Sequence, residues 1–253
     1  MPIKNTDFLG SFAKGLAVIE AFSGEATRLT VTDVARLTSL DRSAARRCLL
    51  TLTELGYAKH DGKHFSLTPK VLRLGVGALA AMPLPQIIQP WLDQLSDKIG
   101  ESVSASILDE TEIVYVARAA QHRVMSIGVM PGVRLPAHSS SMGRVLLAAL
   151  PVTEVRSVLE KSDLSPKTVH SISDMDAILD RIQKVWENQY ECVDQEIEIG
   201  LRSIAVPIYS SHDKVIAAIN VGVSAAQRSI ENLIAEVLPD LYAIQKNVRG
   251  LLR

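Results

Sequence analysis

The chain has 253 residues, a formal net charge of −1 and two cysteines, Cys48 and Cys192, in unrelated contexts. The length suffices for two modest cores, while the cysteine count excludes a disulfide framework and any zinc-ligand spacing. No uninterrupted apolar run reaches membrane-spanning length and the first ten residues, MPIKNTDFLG, lack a secretory pattern, so a cytoplasmic location without a membrane partner is expected.

The near-zero charge conceals a split, because residues 1–82 carry a net +4 and residues 83–253 a net −5. A basic first third suggests that this part alone meets a polyanion. Leu9, Phe12, Leu16 and Ile19 recur at helical spacing and predict a first helix over about 8–23, ended by Ser23-Gly24. Thr30-Val31-Thr32-Asp33 reads as a capping box that opens a short second helix, with Val34, Ala35 and Leu37 inward and a stop near Ser39-Leu40. A third helix is predicted over about 42–55, capped by Asp41 or Ser43, with Ala45, Cys48, Leu49, Leu52 and Leu55 as its core stripe. At about 100° per residue, Ser43, Arg46 and Arg47 then point away from that stripe. Exposed helix faces usually mix both signs, yet no acid follows these arginines until Glu54.

Gly56 suits a helix C-terminus, and YAKH-DG-KHFSL reads as two short strands joined by a two-residue turn with Asp61 and Gly62 both at positive φ. Three helices followed by a hairpin is the order of a winged helix-turn-helix, whose third helix enters a major groove while the wing reaches backbone or minor groove. Arg42, Ser43, Arg46, Arg47, Lys63 and His64 are the candidate DNA contacts, suited to guanine edges and phosphates.

A linker helix is predicted to about residue 82 despite Gly75 and Gly77, then a helix over 86–99 after MPLP. An α+β pattern follows: a hairpin about Glu110-Thr111, a strand in VMSIGV (124–129), a loop over 131–141, and helices near 142–150, 153–160 and 174–189. GLRSIAVPIYS and KVIAAINVGV are further strands, and a long helix from about 226 is expected to kink at Pro239. Ser139, Ser140 and Ser141 open a helix whose first N–H groups lack partners, which suits a carboxylate or a plain serine cap. Asn220 stands in an apolar strand where a buried amide needs a partner, and Met125, Met130 and Met142 offer an adaptable apolar wall. Glu191, Asp194, Glu196 and Glu198 alternate along one run and read as a solvated edge rather than a cation site. Those acids disfavour a thiolate at Cys192, so no catalytic residue is expected.

FAKGLAVIEAF, SAARRCLLTLTELGY, FSLTPKVLRLG, LPAHSSSMGRVLLA, DQEIEIGLRSIAVPI and AAINVGV together resemble the IclR family of transcriptional regulators, over about residues 8–250. SFAKGLAVI, SMGRVLLA and VDQEIEIGLRSIAVPI are most similar to its PcaR, PcaU and PobR branch, which regulates aromatic-acid catabolism. The resemblance implies a winged helix-turn-helix domain over 1–68, a linker helix over 69–83 and a GAF-like effector-binding domain over 84–253. It implies a homodimer or dimer of dimers on operator DNA, a small carboxylate effector of the protocatechuate, hydroxybenzoate or β-ketoadipate type, and neither cofactor nor metal. Carried over by position, the effector site comprises Ser139, Ser140, Ser141, Met142, Leu201, Ser203, Asn220 and Gly222. Ser203 stands where many members have cysteine, and Asn220-Val221-Gly222 where many have Ser-x-Ser, which disfavours a two- or three-carbon keto acid. The alternatives are a repressor answering a different organic acid and a ligand-free DNA-binding adaptor.

Overall fold

The computed structural model describes residues 7–22, 26–81, 83–121 and 130–252, without the side chains of 76 and 78–81. They form two compact units that divide between Ala81 and Met82.

The first unit holds α1 (Gly10–Glu20), α2 (Val31–Thr38), α3 (Arg42–Glu54), the hairpin β1 (Ala58–His60) and β2 (Phe65–Leu67), and α4 (Leu72–Ala81). The capping box forms as predicted: Thr30 Oγ1 accepts from the Asp33 N–H and Asp33 returns the bond to Thr30. Asp41 caps α3, accepting from Ala44 N at 2.8 Å, and Ser43 donates its hydroxyl to the same carboxylate. Val18, Val34, Ala45, Leu49, Leu52, Ala58 and Phe65 close the core.

Two readings of periodicity fail at its edges. Leu37, in the last turn of α2, and Leu55, just past α3, are both more than half exposed, because each helix end overruns the small three-helix core. At α1, Leu9, Phe12 and Leu16 face outward, and Val18 is the buried residue. The wing turn also differs from the expected two-residue form. His60 pairs with Phe65, so residues 61–64 make the loop, and of its first two residues only Gly62 has positive φ. Asp61 instead closes the turn with its carboxylate, which accepts the Lys63 and His64 N–H groups at 3.1 and 2.7 Å.

The second unit is built on an antiparallel six-stranded sheet in the order β5-β4-β3-β8-β7-β6. Its strands are β3 (Ser102–Asp109), β4 (Glu112–Ala119), β5 (Arg134–Pro136), β6 (Glu191–Asp194), β7 (Leu201–Tyr209) and β8 (Val215–Ser224). One face packs on α5 (Pro83–Ile99) and the C-terminal helix through Val103, Ile204, Val206, Ile219 and Val221. The other packs on α6 (Ser141–Leu147); behind it α8 (Met175–Asn188) packs on α6 and α7 (Val152–Lys161) on α8, all in one core. Helix α5 starts three residues before the predicted position, since the first turn of a helix tolerates prolines. The C-terminal helix runs as α9 (Ile230–Asn232), a π-helical turn Leu233–Val237, and α10 (Leu238–Val248). That break directly precedes Pro239, whose ring cannot join a regular ladder. The predicted loop 131–141 contains β5, paired to Glu112–Val114. The strand predicted over 124–129 lies outside the described residues. Among the described residues no helix is long and apolar enough to cross a membrane.

Candidate effector site and nucleic-acid interface

Strand register assembles a polar patch on the sheet face toward α6. Ser104 lies opposite both Arg118 and Asn220, while Gly222 lies opposite both Ser102 and Ser203. Directly opposed residues share a face, so four strands contribute to one surface. The spacing of Tyr115 and Arg118 would normally send them to opposite faces. A β-bulge prevents this: Ser106 pairs with Tyr115 and Ala105 with Ala117, leaving Val116 extra, so Tyr115 and Arg118 turn the same way.

The patch floors a narrow cavity of about 580 Å³ of atom-free space, its solvent-facing mouth included. Ser140, Ser141 and Met142 from the start of α6, with Leu135, Val193, Ile197 and Leu201, complete the lining. Ser203 donates to Ser141 Oγ at 2.8 Å, and Ser140 caps α6 by accepting from Gly143 N at 3.2 Å. A Cβ on residue 143 would lie 2.2 Å from the Ala137 carbonyl oxygen, so only glycine lets α6 sit this close to the preceding turn.

Arg118 is the cation of the cavity. Its guanidinium reaches Ser102 Oγ at 3.3 Å and Ser104 Oγ at 3.5 Å, and it has no ion pair among the described residues. Burial pushes its pKa down, the signature of a poorly solvated charge. Burial likewise pushes Tyr115 up to about 12, so the phenol stays protonated as a donor. The Asn220 amide, in a residue only 9% exposed, makes no hydrogen bond with another described residue. An unneutralised, partly desolvated cation beside an amide with no bond to a described residue is an arrangement suited to a polar ligand.

Of the residues singled out in the sequence, Ser140, Ser141, Met142, Leu201, Ser203, Asn220 and Gly222 meet at this cavity. Ser139 does not line it; the residue is buried and its hydroxyl has no partner. Met130 is 67% exposed and no part of the wall, and Met125 lies outside the described residues. Helix α6 is seven residues long and its own cap takes one free N–H, and Arg118 brings a full positive charge to the same cavity as Ser140 and Ser141. Arg118 and Tyr115 are invisible to a periodicity argument because the bulge swaps faces. Ser102 and Ser104 did carry a signal, the alternation Ser-Val-Ser-Ala-Ser over 102–106, whose serines form one buried face.

The acid run is not a solvated edge. Glu191 and Glu196 are buried at 3% and 5% exposure and paired to the fully buried Arg144. Burial first and Glu191 second push the Cys192 thiol up to about 12, so it remains an inert thiol.

In the first unit Arg42, Ser43, Arg46 and Arg47 all stand on the exposed side of α3, and none of the arginines pairs with a described acid. Lys63 is exposed on the wing loop and His64 is half-buried there, its Nδ1 3.8 Å from Asp61. Arg28, which the sequence reading passed over, joins them because Leu29 bridges Phe65 of the wing. Arg28 pairs with Asp61; the backbone N–H groups of His64 and Lys63, then Arg28, hold that carboxyl far below its usual range.

Residues 11–62 match the model of the IclR helix-turn-helix domain, and residues 76–248 match that of the C-terminal part of the bacterial transcriptional regulator IclR. The Pca regulon regulatory protein of Pseudomonas putida is 42% identical over 96% of this chain and 84% of its own. A solved chain from Rhodococcus sp. RHA1, described as a candidate transcriptional regulator, is 44% identical with a TM-score of 0.81, covering 96% of this chain and 97% of that one. The inducer-binding domain of the Acinetobacter transcription factor PobR, a double mutant in complex with 3-hydroxybenzoic acid, is 33% identical with a TM-score of 0.63. That likeness covers 66% of this chain and 98% of the PobR domain.

Proposed function

The chain belongs to the IclR family of bacterial transcriptional regulators, and from that premise we propose that it senses an aromatic-pathway acid and relays its presence to operator DNA. Relatives named for the Pca regulon and a relative holding a hydroxybenzoic acid support the ligand class. The observation that carries the reading is Arg118, a half-buried cation facing a cavity with no acid to neutralise it among the described residues. Its guanidinium accepts a carboxylate with two parallel bonds. Met142, Leu135 and Leu201 flank an aromatic ring, while Tyr115, Asn220 and the Ser141–Ser203 pair meet its polar substituents.

In the DNA-binding unit, one of Arg46 and Arg47 reads a guanine edge and the other holds phosphate, with Arg42, Ser43, Lys63 and His64 positioning the backbone. Phe8, Leu9, Phe12, Leu16, Leu72 and Leu74 remain 42–69% exposed in this unit, more apolar surface than a small domain leaves uncovered. A second copy covers them and sets the spacing of two recognition helices on the operator. Effector and operator then shift one population and influence each other reciprocally.

Calorimetry of the full chain with benzoates, dihydroxybenzoates, β-ketoadipate and glyoxylate, paired with operator gel shifts, tests this. Binding of a ring or pathway acid that changes operator affinity is expected. Binding of glyoxylate alone refutes the aromatic class, and no binding leaves a ligand-free adaptor.

A further inference from the structure

We propose that Arg144 is a positioning residue of the effector cavity: it does not touch the cavity, yet it ties together three of the segments that wall it. The proposal rests on the reading of that cavity as the effector site. Arg144 is on α6, two residues past the lining Met142, and its exposure is 0%. Its Nε donates to the His138 carbonyl at 2.7 Å, which fixes the turn leading into Ser140 and Ser141. Both terminal nitrogens fork onto Glu196, at 2.6 and 2.7 Å, immediately before the lining Ile197. Nη1 also reaches Glu191 at 3.0 Å, on the strand that carries the lining Val193. Arg181 donates to Glu191 at 2.9 Å, so two cations balance two acids.

The loop from 195 to 201 is closed on itself by Gln195 N to the Leu201 carbonyl at 2.8 Å and Gly200 N to Gln195 Oε1 at 3.0 Å, and what remains to be fixed is its placement against α6. Gln195 and Gly200 both have positive φ, and the loop is pinned on its far side by Thr168 and Ser171, which donate to the Gln195 and Glu196 carbonyls. Glu196 Oε2 accepts in addition from Ile172 N at 3.1 Å. Ile197 and Leu201, the loop's contribution to the cavity, are therefore placed from one side by backbone tethers and from the other by the guanidinium fork. A buried charge cluster is a poor source of stability, because desolvation offsets the attraction and an apolar packing of equal volume does as well. What the fork supplies and an apolar side chain lacks is fixed geometry with five donors in one plane.

The test compares Arg144→Met with the double variant Arg144→Met/Glu196→Gln in the full chain. The single variant leaves Glu196 buried without its cation and is expected to lose stability. The double variant removes both charges and keeps an acceptor for Ile172, so its ligand-free melting temperature returns toward wild type. Positioning predicts that the double variant nevertheless shows faster amide exchange at residues 138–143 and 195–201, with β7 and β8 unchanged. It also predicts about tenfold weaker binding of 3-hydroxybenzoate or 4-hydroxybenzoate by calorimetry. Recovery of melting temperature, exchange and affinity together would overturn the proposal, leaving Arg144 as a charge partner only. Should both variants fail to fold, Arg144→Lys, which keeps the charge without the fork, is read by the same exchange experiment. Exchange needs no ligand: if wild type binds neither acid, exchange alone decides the role of Arg144, while the wider panel of acids decides the effector reading.

Discussion

Replacing Arg118 with methionine separates binding from folding. In the ligand-free protein the guanidinium gains little, since its bonds to Ser102 and Ser104 are 3.3 and 3.5 Å, near the limit of a hydrogen bond. Burial of its charge costs stability, as its lowered pKa shows. Methionine restores most of the volume without the charge, so the melting temperature of the ligand-free protein should stay the same or rise by about 2–4 °C, equivalent to ~1 kcal/mol in a chain of this size. With a carboxylate bound the balance reverses. Removing one partner of a buried, hydrogen-bonded ion pair costs about 2–5 kcal/mol, and the open mouth puts this site near the lower end. A loss of about 2–3 kcal/mol corresponds to roughly 30–150-fold in Kd. Calorimetry with the acid that binds wild type, alongside a thermal melt without it, measures both halves. A Kd within twofold of wild type would show that the carboxylate does not lie at Arg118. A large drop in melting temperature would show that the guanidinium serves the fold instead.

Gly143→Ala sets a methyl 2.2 Å from the Ala137 carbonyl; backbone must move by about 1 Å, so the loss should reach about 3 kcal/mol or more, read as a fall of at least about 6 °C in melting temperature. Wild-type stability would mean that α6 and its turn have more room than the structure allows. Ala at Arg46 and at Arg47 should each weaken operator binding, one by about 1–3 kcal/mol with relaxed preference at one base pair, the other uniformly and with a salt slope about one unit shallower. Gel-shift titrations at several salt concentrations check this, and unchanged affinity in the double variant would refute the recognition-helix assignment. His138 is buried, and burial, then Arg144, hold its pKa below the usual 6.5, against the opposing pull of Glu196 and Asp163. The unfolded chain therefore binds the extra proton first, and stability should fall as pH drops below about 6.5 toward the folded value. Denaturant midpoints across that window should flatten in His138→Gln; an unchanged pH slope would assign it to another group.

What the sequence by itself determined is local. The capping box at Thr30, the Asp41 cap, the arginine face of α3, the break before Pro239 and the strands about residues 211–213 depend on neighbours within a turn or two, and periodicity reports them. The resemblance to the IclR family, carried over by position, also marked most of the cavity lining on α6, β7 and β8. Tertiary structure decided everything that depended on a distant partner. The acids at 191 and 196 looked like a solvated edge until Arg144, 47 and 52 residues away, appeared beside them in the interior. Tyr115 and Arg118 share a face only because β4 bulges against β3, a property of pairing and not of either strand alone. The α1 stripe is helical by spacing, yet spacing cannot say whether Phe12 and Leu16 face their own core or outward; in this unit Val18 fills the interior and they face out. A side chain's burial is set by what packs on it, and that information lies elsewhere in the chain.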